Sequence, residues 1–223
     1  MGPRPVTCPW PMHELVVSTP TLTLRGMTEQ DALALANLVP QDLEHDPCFP
    51  ELTSTQKSLR AYWQAQGQWS AQDWVLQLVV VVDGERVGLQ ALEGKDFAVR
   101  RTVDSYSWLV PSVRGQGVGK RMRAAVLELA FAHLGAEVAV SEAWEDNAAS
   151  LGVSRSLGYR DNGIELHRRG SGPGRMQRLL LERAAWRPPE PVTVAGLEAC
   201  LPLLGISPGP EKSAPAPAPP TAS

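Results

Sequence analysis

The stretch that decides the fold is residues 106–130, which read YSWLVPSVRGQGVGKRMRAAVLELA. Its first five residues, 106–110, are aromatic and β-branched, which predicts a strand. Apolar residues then recur with helical spacing over 121–134, which predicts a helix. The glycines between them let the backbone turn sharply and present bare N–H groups at the positive end of the helix dipole. The stretch therefore predicts a loop that binds an anion.

Two common nucleotide-binding patterns are absent from this loop. A P-loop reads Gly-x-x-x-x-Gly-Lys-Ser/Thr, whereas here Arg114 takes the place of the first glycine and Arg121 that of the hydroxyl residue. A dinucleotide loop reads Gly-x-Gly-x-x-Gly, whereas Lys120 takes the place of its third glycine. The pattern that remains is Arg-x-x-Gly-x-Gly over residues 114–119.

The composition fits one globular domain with tails. The chain has 223 residues, 43% of them hydrophobic, and a net charge of -3, which gives no basic surface for general nucleic-acid binding. Cys8, Cys48 and Cys200 are far apart in the sequence, which favours a reducing compartment. The longest aliphatic run, 78–82, is too short to cross a membrane. We therefore expect a cytoplasmic protein, and the spacing of its histidines gives no reason to expect a metal.

The other patterns alternate helices and strands in the order β-α-α-β-β-β-α-β-α-β-β. Thr28 opens a capping box for a first helix over 29–39, and Thr53 or Ser54 can cap a second helix. Two apolar runs, 74–82 and 86–92, flank Asp83-Gly84 and predict a hairpin. A further strand is predicted over 99–110. This order predicts a mixed α/β (α+β) fold, in which a mostly antiparallel central sheet has helices on both faces.

The loop over 114–119 resembles the pyrophosphate loop of the GNAT N-acyltransferase superfamily. A second motif, Asn147-x-x-Ser150 followed by Leu157-Gly158-Tyr159, resembles the RimJ/RimL-like branch of that superfamily. The resemblance covers about residues 15–186, and the chain is also similar to an actinobacterial subgroup that includes a mycobacterial GNAT succinyltransferase. It implies a GNAT domain (13–187) followed by a C-terminal appendage (188–205), and the composition of the two ends predicts a loose, proline-rich N-terminal tail (1–12) and a disordered Ala/Pro tail (206–223).

The resemblance implies that coenzyme A binds along the loop and the strand before it. A main-chain N–H of Leu109 or Val110 would face the thioester oxygen, and Arg114 would add positive charge. Asn147 and Ser150 would border the cofactor arm, although Asn147 equally suits the cap of the following helix. The backbone amides that would hold the pyrophosphate belong to Gly115, Gln116, Gly117, Val118, Gly119 and Lys120.

The acid and the base of the reaction are less well defined by the sequence. Many members of the superfamily have a tyrosine seven residues after the asparagine, where this chain has Ser154, which suits either a proton relay or simple packing. Glu142 matches the position of a proposed base, and Asp104 is a second candidate; each equally fits an ordinary strand carboxylate. If the acyl group is succinyl, a cation must meet its far carboxylate, for which the sequence offers Lys95, Arg100 and Arg101.

The implied activity is transfer of an acetyl or succinyl group from acyl-CoA to a primary amine, by direct attack in a ternary complex. The amine could belong to a small molecule, a protein N-terminus or a lysine, and a homodimer is compatible with the resemblance. We expect no nucleic-acid or membrane partner. The serine at position 154 leaves an alternative open, in which the chain is a sensor that binds CoA or a small ligand without turnover.

Overall fold

The structure is a computed structural model that describes residues 10–43 and 49–206. Most of both predicted tails lies outside these residues, as do Cys8, His45 and Cys48. Five α-helices lie within the described residues: α1 (Glu29–Ala36), α2 (Ser54–Gly67), α3 (Phe97–Arg100), α4 (Val118–Glu128) and α5 (Ala148–Ser156). The strands are β1 (Val16–Ser18), β2 (Thr23–Gly26), β3 (Asp73–Val82), β4 (Glu85–Lys95), β5 (Thr102–Asp104), β6 (Ser107–Leu109), β7 (Val138–Trp144), β8 (Arg160–Arg169), β9 (Gly172–Glu182) and β10 (Thr193–Ala195).

The ten described strands form one sheet in the order β10-β1-β2-β3-β4-β5-β7-β9-β8, with β6 paired to β4 beside this path. The β5–β7 pair is parallel and the other pairs are antiparallel. The predicted hairpin around Asp83-Gly84 forms β3 and β4, and both turn residues have positive φ angles as a tight turn requires. The mixed, mostly antiparallel sheet is therefore confirmed.

Helices cover both faces of the sheet, as predicted. On one face, Leu127 and Phe131 pack in a large core with Leu78 of β3, and Leu151 of α5 joins the same cluster. On the other face, α1 and α2 enclose a smaller core that includes Tyr62 and Leu89. The two cores lie on opposite sides of β3 and β4 because successive side chains of a strand point to opposite faces.

The start of α1 is fixed by a buried carboxylate. Thr28 and Asp31 form the predicted capping box, and Asp31 also accepts hydrogen bonds from Arg25 Nη2 at 2.6 Å and Arg86 Nε at 2.7 Å. Burial alone would raise the pKa of Asp31, but the two guanidinium groups and Thr28 outweigh burial and hold that pKa well below its usual range. This network ties α1 to β2 and β4.

The single strand predicted over 99–110 is wrong. The chain forms the short helix α3 and then two short strands, and Asp96 and Arg101 at the borders of α3 have left-handed φ angles of 48° and 45°. β5 pairs with both β4 and β7, whereas β6 pairs with β4 alone. The break therefore leaves an opening between β6 and β7, next to the start of α4.

The C-terminal part of the described chain closes the far edge of the sheet. β10 pairs with β1, and the carbonyl oxygens of Leu203 and Leu204 accept hydrogen bonds from the indoles of Trp69 and Trp74 at 2.9 and 3.2 Å. The segment after residue 187 therefore packs on the domain. Across the described residues, no helix is both long and apolar enough to span a bilayer.

Candidate active site

The glycine loop turns directly into α4. Gly115 and Gly117 have φ angles of 74° and 78°, a region that residues with a Cβ rarely adopt. Because Gly117 is the N-cap, α4 begins at Val118, three residues earlier than the predicted start at Arg121. The unpaired N–H groups of the first turn of α4 therefore lie at the loop, where an anion can bind.

A groove of about 390 Å³ follows this loop. Its walls are β6, the loop, the first turns of α4 and the start of α5. The structure thus brings most of the predicted cofactor residues together on one surface. Lining residues that were predicted to bind the cofactor are Leu109, Arg114, Gly115, Gly117, Gly119, Lys120, Asn147 and Ser150. Gln116 and Val118 are part of the same loop and helix start, and Val118 is buried beneath it.

Arg114 connects the loop to the neighbouring elements. Its Nε donates to the Leu109 carbonyl oxygen at 2.9 Å, and its two terminal nitrogens bind the Asp42 carboxylate at 2.6 and 3.0 Å. The Arg114 guanidinium lowers the pKa of the Asp42 carboxyl. Asp42 therefore neutralises much of the positive charge of Arg114. The main role of the Arg114 side chain in this structure is to bind the end of β6.

The main-chain groups of β6 alternate between β4 and the opening. Val110 donates its N–H to the Val87 carbonyl at 2.9 Å, so that this N–H is not available to a ligand. Because hydrogen bonding alternates along an antiparallel strand, the N–H of Leu109 points away from β4, toward the opening. Of the two predicted donors to a thioester oxygen, the geometry therefore favours Leu109.

A second cavity, of about 470 Å³, lies between β6, β7 and α5 and joins the groove. Asn147 and Ser150 line both cavities, and Asn147 Oδ1 also accepts the Ser150 N–H at 3.1 Å as the cap of α5. Both sequence-based interpretations of Asn147, the cap and the cleft residue, therefore hold geometrically. A third cavity, of about 290 Å³, extends the opening beneath α1 and α2 and shares Leu43, Tyr106 and Ser107 with the second.

Three carboxylates lie on one face of the sheet near this opening, but Glu93 lines the separate pocket beside Trp74. Asp104 lies opposite Glu93 in the β4–β5 pairing, and Glu142 lies on β7 and lines the second cavity. Burial and the neighbouring carboxylates raise the pKa of Glu93 to about 7. Burial likewise raises the pKa of Asp104 to about 6, and Glu142 adds to that effect. Carboxylates with such pKa values are suited to accept protons near neutral pH.

Glu93 was missed by the sequence analysis, whose predicted hairpin strand ended one residue earlier, at Leu92. A carboxylate at the end of a run of buried residues in β4 is the signal that could have identified it. Its importance depends on the β4–β5 register, which places it beside Asp104. That register is set by the break near residue 100, which the sequence pattern did not reveal.

His167 is a second group that the sequence analysis treated as ordinary. Its Nε2 lies 3.7 Å from Glu142 Oε2 and 3.6 Å from Glu165 Oε1, and its ring packs edge-on against Trp144. One ligand atom from each of these three groups lies within 4.8 Å of the other two, a spacing that a cation can fill. The reaction is still expected to proceed without a metal, and that expectation stays a prediction.

Ser154 lies away from the opening. Its side chain is fully buried, its Oγ has no hydrogen-bond partner among the described residues, and it lines neither the groove nor the second cavity. The nearest phenol in the core is Tyr159, whose hydroxyl faces Arg123 and Ser105 and whose pKa burial raises to about 12. The position that holds a tyrosine in many GNAT members therefore offers no proton donor to this cleft.

The cleft has two open approaches that meet between β6 and β7. A donor can lie along the groove beside α4, and an acceptor can enter through the second and third cavities. This arrangement suits an enzyme that brings two substrates together. The model of the Acetyltransferase (GNAT) domain family matches residues 21–160, more than half of the chain, and the chain therefore belongs to this family. It is an acyl-CoA-dependent N-acyltransferase.

Solved structures have the same fold. A RimL ribosomal-protein alpha-N-acetyltransferase in complex with coenzyme A is 17% identical, with a TM-score of 0.63 over 75% of this chain and 97% of that chain. RimJ of Mycobacterium smegmatis, in complex with a CoA disulfide, is 16% identical, with a TM-score of 0.63 over 77% and 88%. A Vibrio cholerae spermidine N-acetyltransferase chimera is 15% identical, with a TM-score of 0.60 over 74% and 96%. At these identities the likeness establishes the fold alone.

Proposed function

We propose that the protein transfers an acetyl or succinyl group from acyl-CoA to a primary amine, by direct attack within a ternary complex. The observation that supports this most is the junction of the groove and the second cavity between β6 and β7. Two substrates held there in contact need no covalent enzyme intermediate, because positioning alone supplies much of the rate.

The donor is proposed to lie along the groove. The backbone N–H groups of residues 115–120 would hold the pyrophosphate, since two of the glycines have left-handed backbones and α4 begins among them. Asn147 and Ser150 would contact the pantetheine arm. The N–H of Leu109 would stabilise the negative charge that develops on the thioester oxygen.

Glu142 is proposed as the base, with Asp104 as the alternative. In this reaction the amine nitrogen bonds to the thioester carbon, the C–S bond breaks, and a proton leaves the nitrogen for a carboxylate. Glu142 lines the second cavity, where the amine would enter, whereas Asp104 is more deeply buried beside Glu93. A group with a pKa near the working pH is the most effective base, which favours Asp104, whereas access favours Glu142.

The succinyl group is considered beside the acetyl group because of the sequence resemblance to the actinobacterial subgroup. The structure does not favour the cations first considered for a succinyl carboxylate. Lys95 lines a separate pocket near Trp74, and the guanidinium of Arg101 lies 5.6 Å from the centre of the Phe97 ring. Neither they nor Arg100 line the groove or the second cavity.

The acceptor is proposed to be a cationic amine on a small molecule, a protein N-terminus or a lysine, because the Glu142 carboxylate lines its approach. The two relatives acting on a ribosomal protein and on spermidine span the same range of acceptors. A cytoplasmic location and a homodimer complete the proposal, and fractionation and light scattering test them.

Calorimetry with acetyl-CoA and succinyl-CoA, together with mass spectrometry of copurified CoA species, tests the donor. For the base, we expect Glu142→Gln to lower kcat by about 10²–10⁴-fold with unchanged CoA affinity. Glu137→Gln is the matched control, because Glu137 lies just before the same strand and pairs with Arg183 outside the cleft. Equal loss in both variants, or no binding of either acyl-CoA, would contradict the proposal.

A second candidate is a sensor that binds CoA without turnover. The buried position of Ser154 favours a sensor without turnover, since no hydroxyl at that position can protonate the leaving thiolate. This candidate predicts tight CoA binding with no release of free thiol against a panel of amines and peptides. Turnover of any amine rules it out.

A further inference from the structure

Arg123 lies at the point where the donor groove and the second cavity join. It belongs to the second turn of α4, and its side chain is 5% exposed. Four residues line both cavities, Ser107, Arg123, Asn147 and Ser150, and Arg123 alone among them is charged. A buried cation therefore occupies the place where two substrates would meet.

The charge of Arg123 has only neutral hydrogen-bond acceptors. Its Nη1 donates to Ser141 Oγ at 3.2 Å on β7, and its Nη2 donates to Ser107 Oγ at 3.4 Å on β6. Its Nε has no partner, and no carboxylate oxygen lies within 4.0 Å of it among residues 10–43 and 49–206. Asp104 interacts with Arg123 only through space. A buried cation with no contacting carboxylate is costly, and a bound anion would relieve that cost.

The reaction proposed above generates an anion at this junction. The amine nitrogen uses its lone pair to form the C–N bond, which first places negative charge on the thioester oxygen. The C–S bond then breaks and its electron pair goes to sulfur. The proton lost by nitrogen goes to a carboxylate on the acceptor side. Because Ser154 is sealed in the core, no hydroxyl at its position can protonate the sulfur as it leaves.

We propose that Arg123 is a catalytic residue that binds the leaving sulfur of coenzyme A as a thiolate. This proposal rests on the acyl-CoA-dependent function. Charge-assisted hydrogen bonds from a fork-shaped guanidinium would stabilise the anion without transferring a proton. Ser107 and Ser141 hold the fork from the two strands that border the opening, so the cation is in place before the donor binds.

Other titratable groups face the same junction and act against or alongside Arg123. Asp104 on β5 and Glu142 on β7 are carboxylates whose negative charge opposes a thiolate. Tyr159 lies beside Arg123 as a neutral phenol. On the donor side, Lys120 adds positive charge at the loop. A thiolate is therefore stabilised only if its attraction to Arg123 exceeds its repulsion by the two carboxylates. The pH dependence of coenzyme A binding measures the difference between these two effects.

The experiment compares calorimetric binding of coenzyme A with that of desulfo-coenzyme A, in which hydrogen replaces the thiol, from about pH 6 to about pH 9. Dividing the two affinities cancels every contribution except that of the sulfur. A free alkyl thiol is mostly protonated below about pH 8.5. If Arg123 binds the thiolate, we expect the affinity ratio to rise about 10-fold to 100-fold over this range.

Three variants complete the experiment. Arg123→Gln removes the charge and should give a ratio independent of pH, whereas Arg123→Lys keeps the charge and should retain part of the rise. Arg100→Gln removes a charge from the exposed end of α3, away from the cleft, and should behave as wild type. Thermal unfolding of each variant shows whether it is folded, and Arg123→Lys keeps the test decisive if Arg123→Gln does not fold.

A ratio that stays flat in the wild-type protein while both ligands bind overturns the role of Arg123 and leaves the acyltransferase function standing. A rise that persists in Arg123→Gln overturns it as well. A pH-independent ratio combined with a preference for succinyl-CoA over acetyl-CoA also overturns it, if Arg123→Gln abolishes that preference. In that case Arg123 binds the carboxylate of the acyl group and not the sulfur. If neither ligand binds, the proposed function itself fails.

Discussion

Alanine at the two glycines that flank the start of α4 should have opposite effects on stability. Gly117 has a φ of 78°, and a Cβ there would lie 3.1 Å from the Arg121 side-chain tip, which can move away. The cost of Gly117→Ala is thus conformational, about 1–2 kcal/mol. Gly119 is helical, and its Cβ would meet Leu109 and Val153 at ordinary distances of 3.8 and 4.0 Å. Gly119→Ala should stabilise the protein by about 0.5–1 kcal/mol.

The two variants should both weaken binding of coenzyme A, for different reasons. Gly117→Ala disturbs the backbone N–H groups of the loop, whereas the new methyl group in Gly119→Ala narrows the groove between Leu109 and Val153. Urea unfolding measures stability and calorimetry measures affinity. Gly152→Ala, on the exposed side of α5, is the control and should add about 0.5–1 kcal/mol without changing affinity. A Gly117→Ala protein as stable as wild type, or a destabilised Gly119→Ala protein, would refute this reasoning.

Two further predictions concern stability. Asp31→Asn should lower the free energy of unfolding by about 1.5–3 kcal/mol, because it removes the charge of a buried carboxylate that binds two partly exposed guanidinium groups, whereas Asp161→Asn at an exposed ion pair should cost less than about 1 kcal/mol. In native protein Glu93 and Asp104 hold protons that the unfolded chain releases above about pH 4, so the free energy of unfolding should fall as pH rises from about 4 to about 7. Glu93→Gln should flatten that dependence in urea titrations at several pH values, and an unchanged slope would count against the raised pKa values.

The sequence predicts most of the fold because its local signals agree with the tertiary structure. The capping box at Thr28, the turn at Asp83-Gly84 and the helical spacing after the glycine loop all form as expected. The predicted strand over 99–110 failed because apolar content alone does not show where a strand changes its partner. Arg101 has a left-handed backbone conformation at the point where the chain changes its strand partner. An arginine in the sequence does not indicate such a conformation.

The candidate site is predicted unevenly for the same reason. The donor side is formed by one continuous stretch, so that a motif such as 114–119 carries its geometry. The acceptor side depends on Glu142, with Asp104 and Glu93 on neighbouring strands, and only the sheet register places these three carboxylates on one face. Arg123 shows no special feature in a helix pattern, because its importance lies in the absence of a contacting carboxylate, which only tertiary structure reveals.

The pairing of β10 with β1 has a consequence for synthesis on the ribosome. The 174 residues between Ser18 and Thr193 take roughly 9–35 s to translate at 5–20 residues per second. During that interval β1 has a partner on one side only, and an open strand edge is a template for pairing with other chains. The edge of β1 is therefore covered only after most of the domain has been made, and the three-residue β10 then becomes the outer strand.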